Sequence, residues 1–115
     1  GAADVVSVKP ARLGGARAAA MAVEIAAEHG AGAFVGGMLE LGIGRATSAA
    51  VAALAGCTLP TDLGPSERYV DVDVTDPVVL DDDGRLVVPD GPGCGRTPIG
   101  ASLERFVVDE VLLVA

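Results

Sequence analysis

One lysine stands in this 115-residue chain, at position 9, and each of the other seven fixed positive charges is an arginine. Lys9 follows Val5-Val6-Ser7-Val8 and precedes Pro10-Ala11-Arg12-Leu13-Gly14-Gly15. The run reads as a short buried strand, an amine at its C-terminal mouth, and a tight turn into a helix. A guanidinium keeps its proton near neutral pH, whereas a partly desolvated lysine can release one and take it back. The placement points to acid–base work at a strand end. The plainer reading, a strand-end charge reaching for water, fits the same spacing.

Other reactive residue types are sparse. His29, the only histidine, falls in the last turn of a helix, where its ring can cap carbonyls and meet the dipole favourably. Cys57 and Cys94 are far apart and outside any Cys-x-x-Cys pair, so two free thiols are expected. Gly36-Gly37-Met38-Leu39-Glu40 ends a second strand, and glycines there allow a backbone to approach a ligand closely. Gly42-x-Gly44 before a helix lacks the third glycine and the lysine of a phosphate loop. Asp71-x-Asp73-x-Thr75 begins like a calcium loop but has Asp76-Pro77 where glycine is needed. Asp81-Asp82-Asp83 reads as a hairpin tip.

Positioning these residues requires an α/β order. Asp4 to Val8 is β-branched and continuous, as expected of a parallel strand buried on both faces. A helix from Ala16 to His29 follows, its apolar stripe Ala18, Met21, Ala22, Ile25 and Ala26, closed by Gly30. Ala33 to Val35 is a second strand, Ala46 to Ala55 a largely buried helix, and Cys57 to Leu59 a third strand cut off by Pro60. Past Asp62 the pattern changes to an acidic extended stretch. A hairpin then pairs Val78–Leu80 with Leu86–Val88, a short helix runs from Ala101 to Arg105, and the last strand is Val107 to Val114. Arg12 is expected to be a structural salt-bridge partner. The division is residues 1–61 as strand–helix units and 62–115 as a separate segment.

Composition narrows the function. The net charge of −8 and an aromatic content of 3% leave neither a basic stripe for phosphates nor a stacking surface for bases, so nucleic acid is not a partner. No apolar run approaches membrane-spanning length and no signal peptide is visible, so a cytoplasmic protein without membrane association is expected. Half the residues are apolar, mostly small, which suits close packing of helices on a sheet. Three parallel strands cannot close a barrel, and a (β/α)₈ barrel needs about 250 residues. The chain therefore reads as the closing part of a barrel rather than a lone open domain.

Val-Ser-Val-Lys-Pro-Ala-Arg-Leu-Gly-Gly, followed by Gly-Gly-Met-Leu-Glu-Leu-Gly-Ile-Gly-Arg-Ala, closely resembles the enolase superfamily, in its branch of o-succinylbenzoate synthases and N-acylamino acid racemases. Thr58-Leu59-Pro60-Thr61-Asp62, Asp76-Pro77, Gly84-Arg85-Leu86 and Val88-Pro89-Asp90-Gly91-Pro92-Gly93 follow in the branch's order. The resemblance implies the end of a (β/α)₇β TIM-like barrel, with residues 62–115 returning to a capping domain. It implies that Lys9 is one of two catalytic lysines facing each other across the substrate. It also implies that Gly37, Met38, Leu39 and Glu40 line the substrate pocket. The second lysine and three carboxylates binding Mg²⁺ would lie on upstream strands, so no metal ligand is assigned in this chain. The partners implied are a small carboxylate substrate and the N-terminal part of the same enzyme, in a homo-oligomer.

The family chemistry removes a weakly acidic proton α to a carboxylate. A divalent cation stabilises the charge that develops, and a lysine near another cation serves as base or acid. In a racemase, Lys9 would exchange a proton on one face of the substrate. In a synthase, which eliminates water on the route to menaquinone, Lys9 would stay protonated and stabilise the intermediate. The chain departs from the branch at Ser7 (often Asn), Leu41 (often Thr), Gly30-Ala31-Gly32 and Cys94. The synthase is the preferred reading and the racemase the alternative, and the isolated chain should be inactive. A non-catalytic α/β interaction module, and a small-ligand domain using the helix after Gly42, are the rivals from other classes.

Overall fold

The computed structural model describes residues 2–113. Strand β1 (Val5–Val8) pairs in parallel with β2 (Gly32–Val35), Val5 opposite Gly32 and Val8 opposite Val35. Pro10 supplies the fixed φ of a first helical residue and opens a single turn, α1 (Pro10–Leu13). Gly14 and Gly15, at φ +86° and +124°, then reverse the chain into α2 (Ala16–Glu28) in a conformation that side chains resist. Nδ1 of His29 lies 2.8 Å from the Ile25 carbonyl, the capping contact expected of a helix end.

The core is built from small residues. Val8, Ala19, Val23, Ala26, Ala33, Val35, Ala49, Val51 and Leu63 form one buried cluster between the two strands, α2 and α3 (Gly42–Ala52). Val23 fills the hollow that Gly56 leaves, where an added Cβ would stand 2.5 Å from its methyl carbon. The buried positions of α2, spaced i, i+4, i+7, are offset from the expected stripe. Met21 and Ile25 are 55% and 54% exposed, because the face turned to the sheet is the one with the smallest side chains. The expectation of a strand buried on both faces is also corrected. Val5 and Ser7 are exposed while Val8 is buried, so one face of the sheet is open.

Beyond α3 the expected strands shrink to single bridges. Cys57 makes one parallel bridge to Ala33, and Leu59 N–H donates to the Ala33 carbonyl at 3.2 Å. There the ladder stops: the Val35 carbonyl, next in register on β2, accepts the Thr61 hydroxyl at 2.6 Å instead of a backbone N–H. Leu80 and Leu86 form one antiparallel bridge around a turn in which the Asp81 carboxylate accepts from Asp83 and Arg85 N–H. The side-chain bonds satisfy the turn without extending a ladder. The helix expected at Ala101–Arg105 is the single turn α4 (Gly100–Leu103), and 107–113 carry no strand; Val114 lies outside the described residues. Cys57 and Cys94 are free thiols, and burial raises the pKa of Cys57.

Helix α3 starts at Gly42, four residues before the expected Ala46, and a distant carboxylate is the reason. Its N-cap residue, Leu41, has no side chain that can cap. Oδ1 of Asp73, buried and 31 residues downstream, accepts the Gly42 N–H at 2.7 Å. The same oxygen accepts Val74 N–H, and Oδ2 accepts the Ser66 hydroxyl at 2.5 Å. A Cβ at Gly42 would overlap Thr75 Oγ1, so only glycine lets the acidic segment reach the helix end. Burial alone would raise the Asp73 pKa; the Ser66 hydroxyl and the N–H groups of Gly42, Val74 and Thr75 outweigh it and hold the carboxyl below its ordinary 3.8.

The folded chain thus binds this proton less tightly than the unfolded one. Asp73 contributes stability above the ordinary carboxyl pKa and loses it as the pH falls through the lowered folded value. Asp73→Ala should cost about 2 kcal/mol at neutral pH, since it leaves buried N–H groups unpaired. Asp73→Asn should flatten the loss of stability as the pH falls through and below the ordinary carboxyl range, both read by urea unfolding.

Candidate functional site

Lys9 continues β1 by one extended residue, so it shares the open face of the sheet with Ser7. Gly36 continues β2 in register, its N–H donating to the Val8 carbonyl at 2.9 Å. Having no side chain, Gly36 leaves the hollow into which Lys9 and Ser7 turn. A Cβ there would stand 2.7 Å from Ser7 Oγ, 2.8 Å from Lys9 Nζ and 3.2 Å from Lys9 Cε. The Lys9 ammonium donates to the Gly37 carbonyl at 2.6 Å. It makes no ion pair; among the described residues the one salt bridge joins Arg85 to Asp83. The amine is therefore aimed across the strand ends at the glycine pair rather than out into solvent.

The Gly37 end is held from a third direction. Oδ1 of Asp62 accepts the Gly37 N–H at 2.7 Å, next to the Thr61 bond to Val35. Met38 N–H donates to Oε2 of Glu40 at 2.8 Å, folding 38–40 into a tight loop. That bond turns the Glu40 carboxylate back on its own loop, and its Oε1 is buried without a partner. Leu39 is 81% exposed and Met38 also reaches solvent, so two apolar side chains follow directly on the glycine that holds the amine.

Behind the loop sits a buried cation. Arg45 is 1% exposed, donates from Nη1 to the Gly64 carbonyl at 2.6 Å and from Nη2 to the Glu40 carbonyl at 2.7 Å, and lies over the Tyr69 ring at 4.6 Å. Among the described residues no carboxylate pairs with it. The two carbonyls and the ring face offset part of its desolvation, a cation–π contact contributing up to about 2 kcal/mol when desolvated, while its Nε is buried without a partner among the described residues. Gly44 admits the Glu40 stem, because a Cβ there would stand 2.9 Å from Glu40 Cβ.

The structure thus gathers Lys9, Gly36, Gly37, Met38, Leu39 and Glu40 at one end of the sheet. Sequence reasoning missed the roles of Asp62, Thr61 and Arg45; the signal for the first two was their place directly after Pro60. Arg12, expected in a salt bridge, is exposed and has no ion-pair partner among the described residues. The Gly42 N–H, which an anionic ligand would need, is already taken by Asp73, which disfavours the small-ligand reading. Among the described residues no group of three or more His, Cys, Asp or Glu could hold a metal ion. The donors among the described residues therefore do not make up a Mg²⁺ site. No helix among the described residues is long and apolar enough to cross a membrane.

Known proteins are similar to this chain in sequence and fold. A family model described as enolase C-terminal domain-like matches residues 1–101. An N-succinylamino acid racemase of Amycolatopsis is 41% identical over 111 residues, covering 96% of this chain and 30% of the relative. An o-succinylbenzoate synthase of Geobacillus stearothermophilus is 37% identical over 106 residues, covering 92% of this chain and 28% of the relative. A probable mandelate racemase of Alicyclobacillus acidocaldarius superposes with a TM-score of 0.85 at 40% identity, over 94% of this chain and 28% of that one. The chain spans less than a third of the curated relatives it matches.

Gly36→Ala tests the hollow. The atoms its Cβ would meet are the ends of two flexible side chains, so stability should fall by less than about 1 kcal/mol while the Lys9 amine leaves Gly37. Since Lys9 is the only lysine, its ¹⁵N-labelled side chain should report the displacement as a shifted, faster-exchanging Nζ resonance.

Proposed function

The chain belongs to the enolase C-terminal domain-like family, and on that premise we propose that it supplies the Lys9 amine and part of the substrate wall to an enzyme acting on the carbon α to a carboxylate. The reading preferred is an o-succinylbenzoate synthase-like water elimination serving menaquinone formation; the second is N-acylamino acid racemisation, favoured by the 41% identity to a racemase. The observation that carries both is the Lys9 ammonium, held at 2.6 Å by the Gly37 carbonyl at the strand ends.

Each residue has work to do in either reaction. Gly37 positions the nitrogen before substrate arrives, so little reorganisation remains at the moment of proton transfer. Met38 and Leu39 exclude water from the acyl or succinyl chain and favour its apolar part. Glu40 and Arg45 keep their loop in shape from behind. In racemisation Lys9 delivers or removes a proton on one face of the substrate; in the synthase it stays charged and stabilises negative charge on the substrate. Mg²⁺, which the resemblance implies, is proposed to be held by parts of the full enzyme that this chain does not span.

Domain roles, partners and location follow the same premise. Residues 1–61 are proposed to complete a barrel and 62–115 to return to a capping domain, in a cytoplasmic homo-oligomer acting on a small carboxylate. The radius of gyration, 15.5 Å, exceeds the roughly 13 Å of a compact domain this long, which supports a part meant to be covered over a free-standing module.

In a full-length enzyme containing this chain, Lys9→Ala should lower turnover at least about 100-fold. Lys9→Arg separates the two reactions: an arginine keeps its charge but cannot serve as base, so it should retain part of a synthase activity and abolish racemisation. Full turnover by Lys9→Ala would overturn the assignment.

A further inference from the structure

The bond between Asp62 and Gly37 has no structural need behind it. Asp62 is exposed, and water could satisfy the Gly37 N–H if the carboxylate were removed. Yet a carboxylate 25 residues away reaches that N–H at 2.7 Å, in the charge-assisted class of hydrogen bond. The segment that carries it is stiff. Pro60 precedes it, the Thr61 hydroxyl is bonded to Val35, and that same oxygen accepts the Leu63 N–H at 3.2 Å. Leu63 is buried, and its Cδ2 would stand 3.3 Å from a Cβ on Gly37, so the segment runs directly along this glycine.

Gly37 is gripped from both sides. Asp62 accepts its N–H and Lys9 donates to its carbonyl. A glycine has no side chain to restrain its peptide planes, so an external contact must set where its carbonyl points. We propose that Asp62 is a positioning residue for the Lys9 amine, acting through Gly37: it orients the carbonyl that holds Nζ, and never touches substrate itself. This rests on the proton-transfer reading of Lys9 given above.

The test uses the full-length enzyme and solvent-deuterium exchange at the α-carbon of each enantiomer of an N-succinylamino acid. Asp62→Ala should slow exchange of the enantiomer served by Lys9 about tenfold and leave the other within about twofold, as expected when one acid–base group is misplaced by a fraction of an ångström. Its melting temperature should stay within about 2 °C, the usual range for an exposed substitution. Asp62→Asn keeps an oxygen that can accept the Gly37 N–H, so it should recover to within about threefold of the parent. If the enzyme turns over only the dehydration substrate, the same series is read as kcat against KM, with kcat lowered by alanine, restored by asparagine, and KM unchanged.

Equal slowing of both enantiomers, failure of asparagine to rescue, or unchanged rates in Asp62→Ala would overturn the positioning role. Lys9→Ala, run alongside, separates this from the underlying reading. If it spares exchange of both enantiomers and dehydration alike, the assignment of Lys9 itself fails; if it is inactive while Asp62→Ala is unaffected, only the positioning role falls.

Discussion

The hydrogen bond from the Lys9 ammonium to the Gly37 carbonyl joins two stretches of chain that are 28 residues apart, and the local architecture makes sense as the means of keeping it. Parallel pairing of β1 and β2 brings position 9 opposite position 36. The absence of a side chain at Gly36 then decides where the lysine goes, because that hollow is where its ammonium and the Ser7 hydroxyl sit. Helices α2 and α3 fix the register by packing alanine and valine against the buried face, which leaves the opposite face free to carry chemistry. A larger core residue at Ala19 or Ala33 would push helix from sheet and shift the strand ends relative to one another.

Charge is distributed in an unexpected way for a chain of net −8. Its most deeply buried cation, Arg45, and its best-bonded buried anion, Asp73, are not partners of each other or of any opposite charge among the described residues. Each is held by peptide groups instead: Arg45 by two carbonyls and the face of Tyr69, with only its Nε left unpartnered among the described residues, Asp73 by N–H groups and one hydroxyl. Backbone dipoles are already ordered when the side chain arrives, so the desolvation cost of each ion is offset without placing a second flexible ion. Both contacts bind 62–78 onto α3 and the loop before it. The acidic half of the molecule is thereby a brace for the site rather than only a solvated surface.

What could be read early is what local physics specifies. The β-branched run before Lys9, the proline and paired glycines after it, the alanine-rich helix and its histidine cap follow from propensity and turn chemistry within a few residues, and each is found in place. The expected third strand and hairpin shrink to single bridges for an equally physical reason: the Thr61 hydroxyl and the Asp81 carboxylate take bonds that a ladder would have used. The α2 stripe slipped because hydrophobicity ranks Met21 and Ile25 above Ala19, whereas close packing on a sheet favours the smaller residue. Asp73 and Arg45 carry no local signature of their roles, since Gly42 and Gly64 lie 31 and 19 residues away, and Asp62 shows only its place after Pro60, 25 residues from Gly37.

The amino-acid sequence by itself determined the α/β order, the family and the lone amine at a strand end, because an amine at a strand mouth and glycines beside it are short-range patterns. Only the tertiary structure decided where that amine points and what holds it there. Direction depends on strand register, on the empty volume at Gly36 and on a carboxylate brought in from a distant turn, and these exist only once the chain has closed on itself.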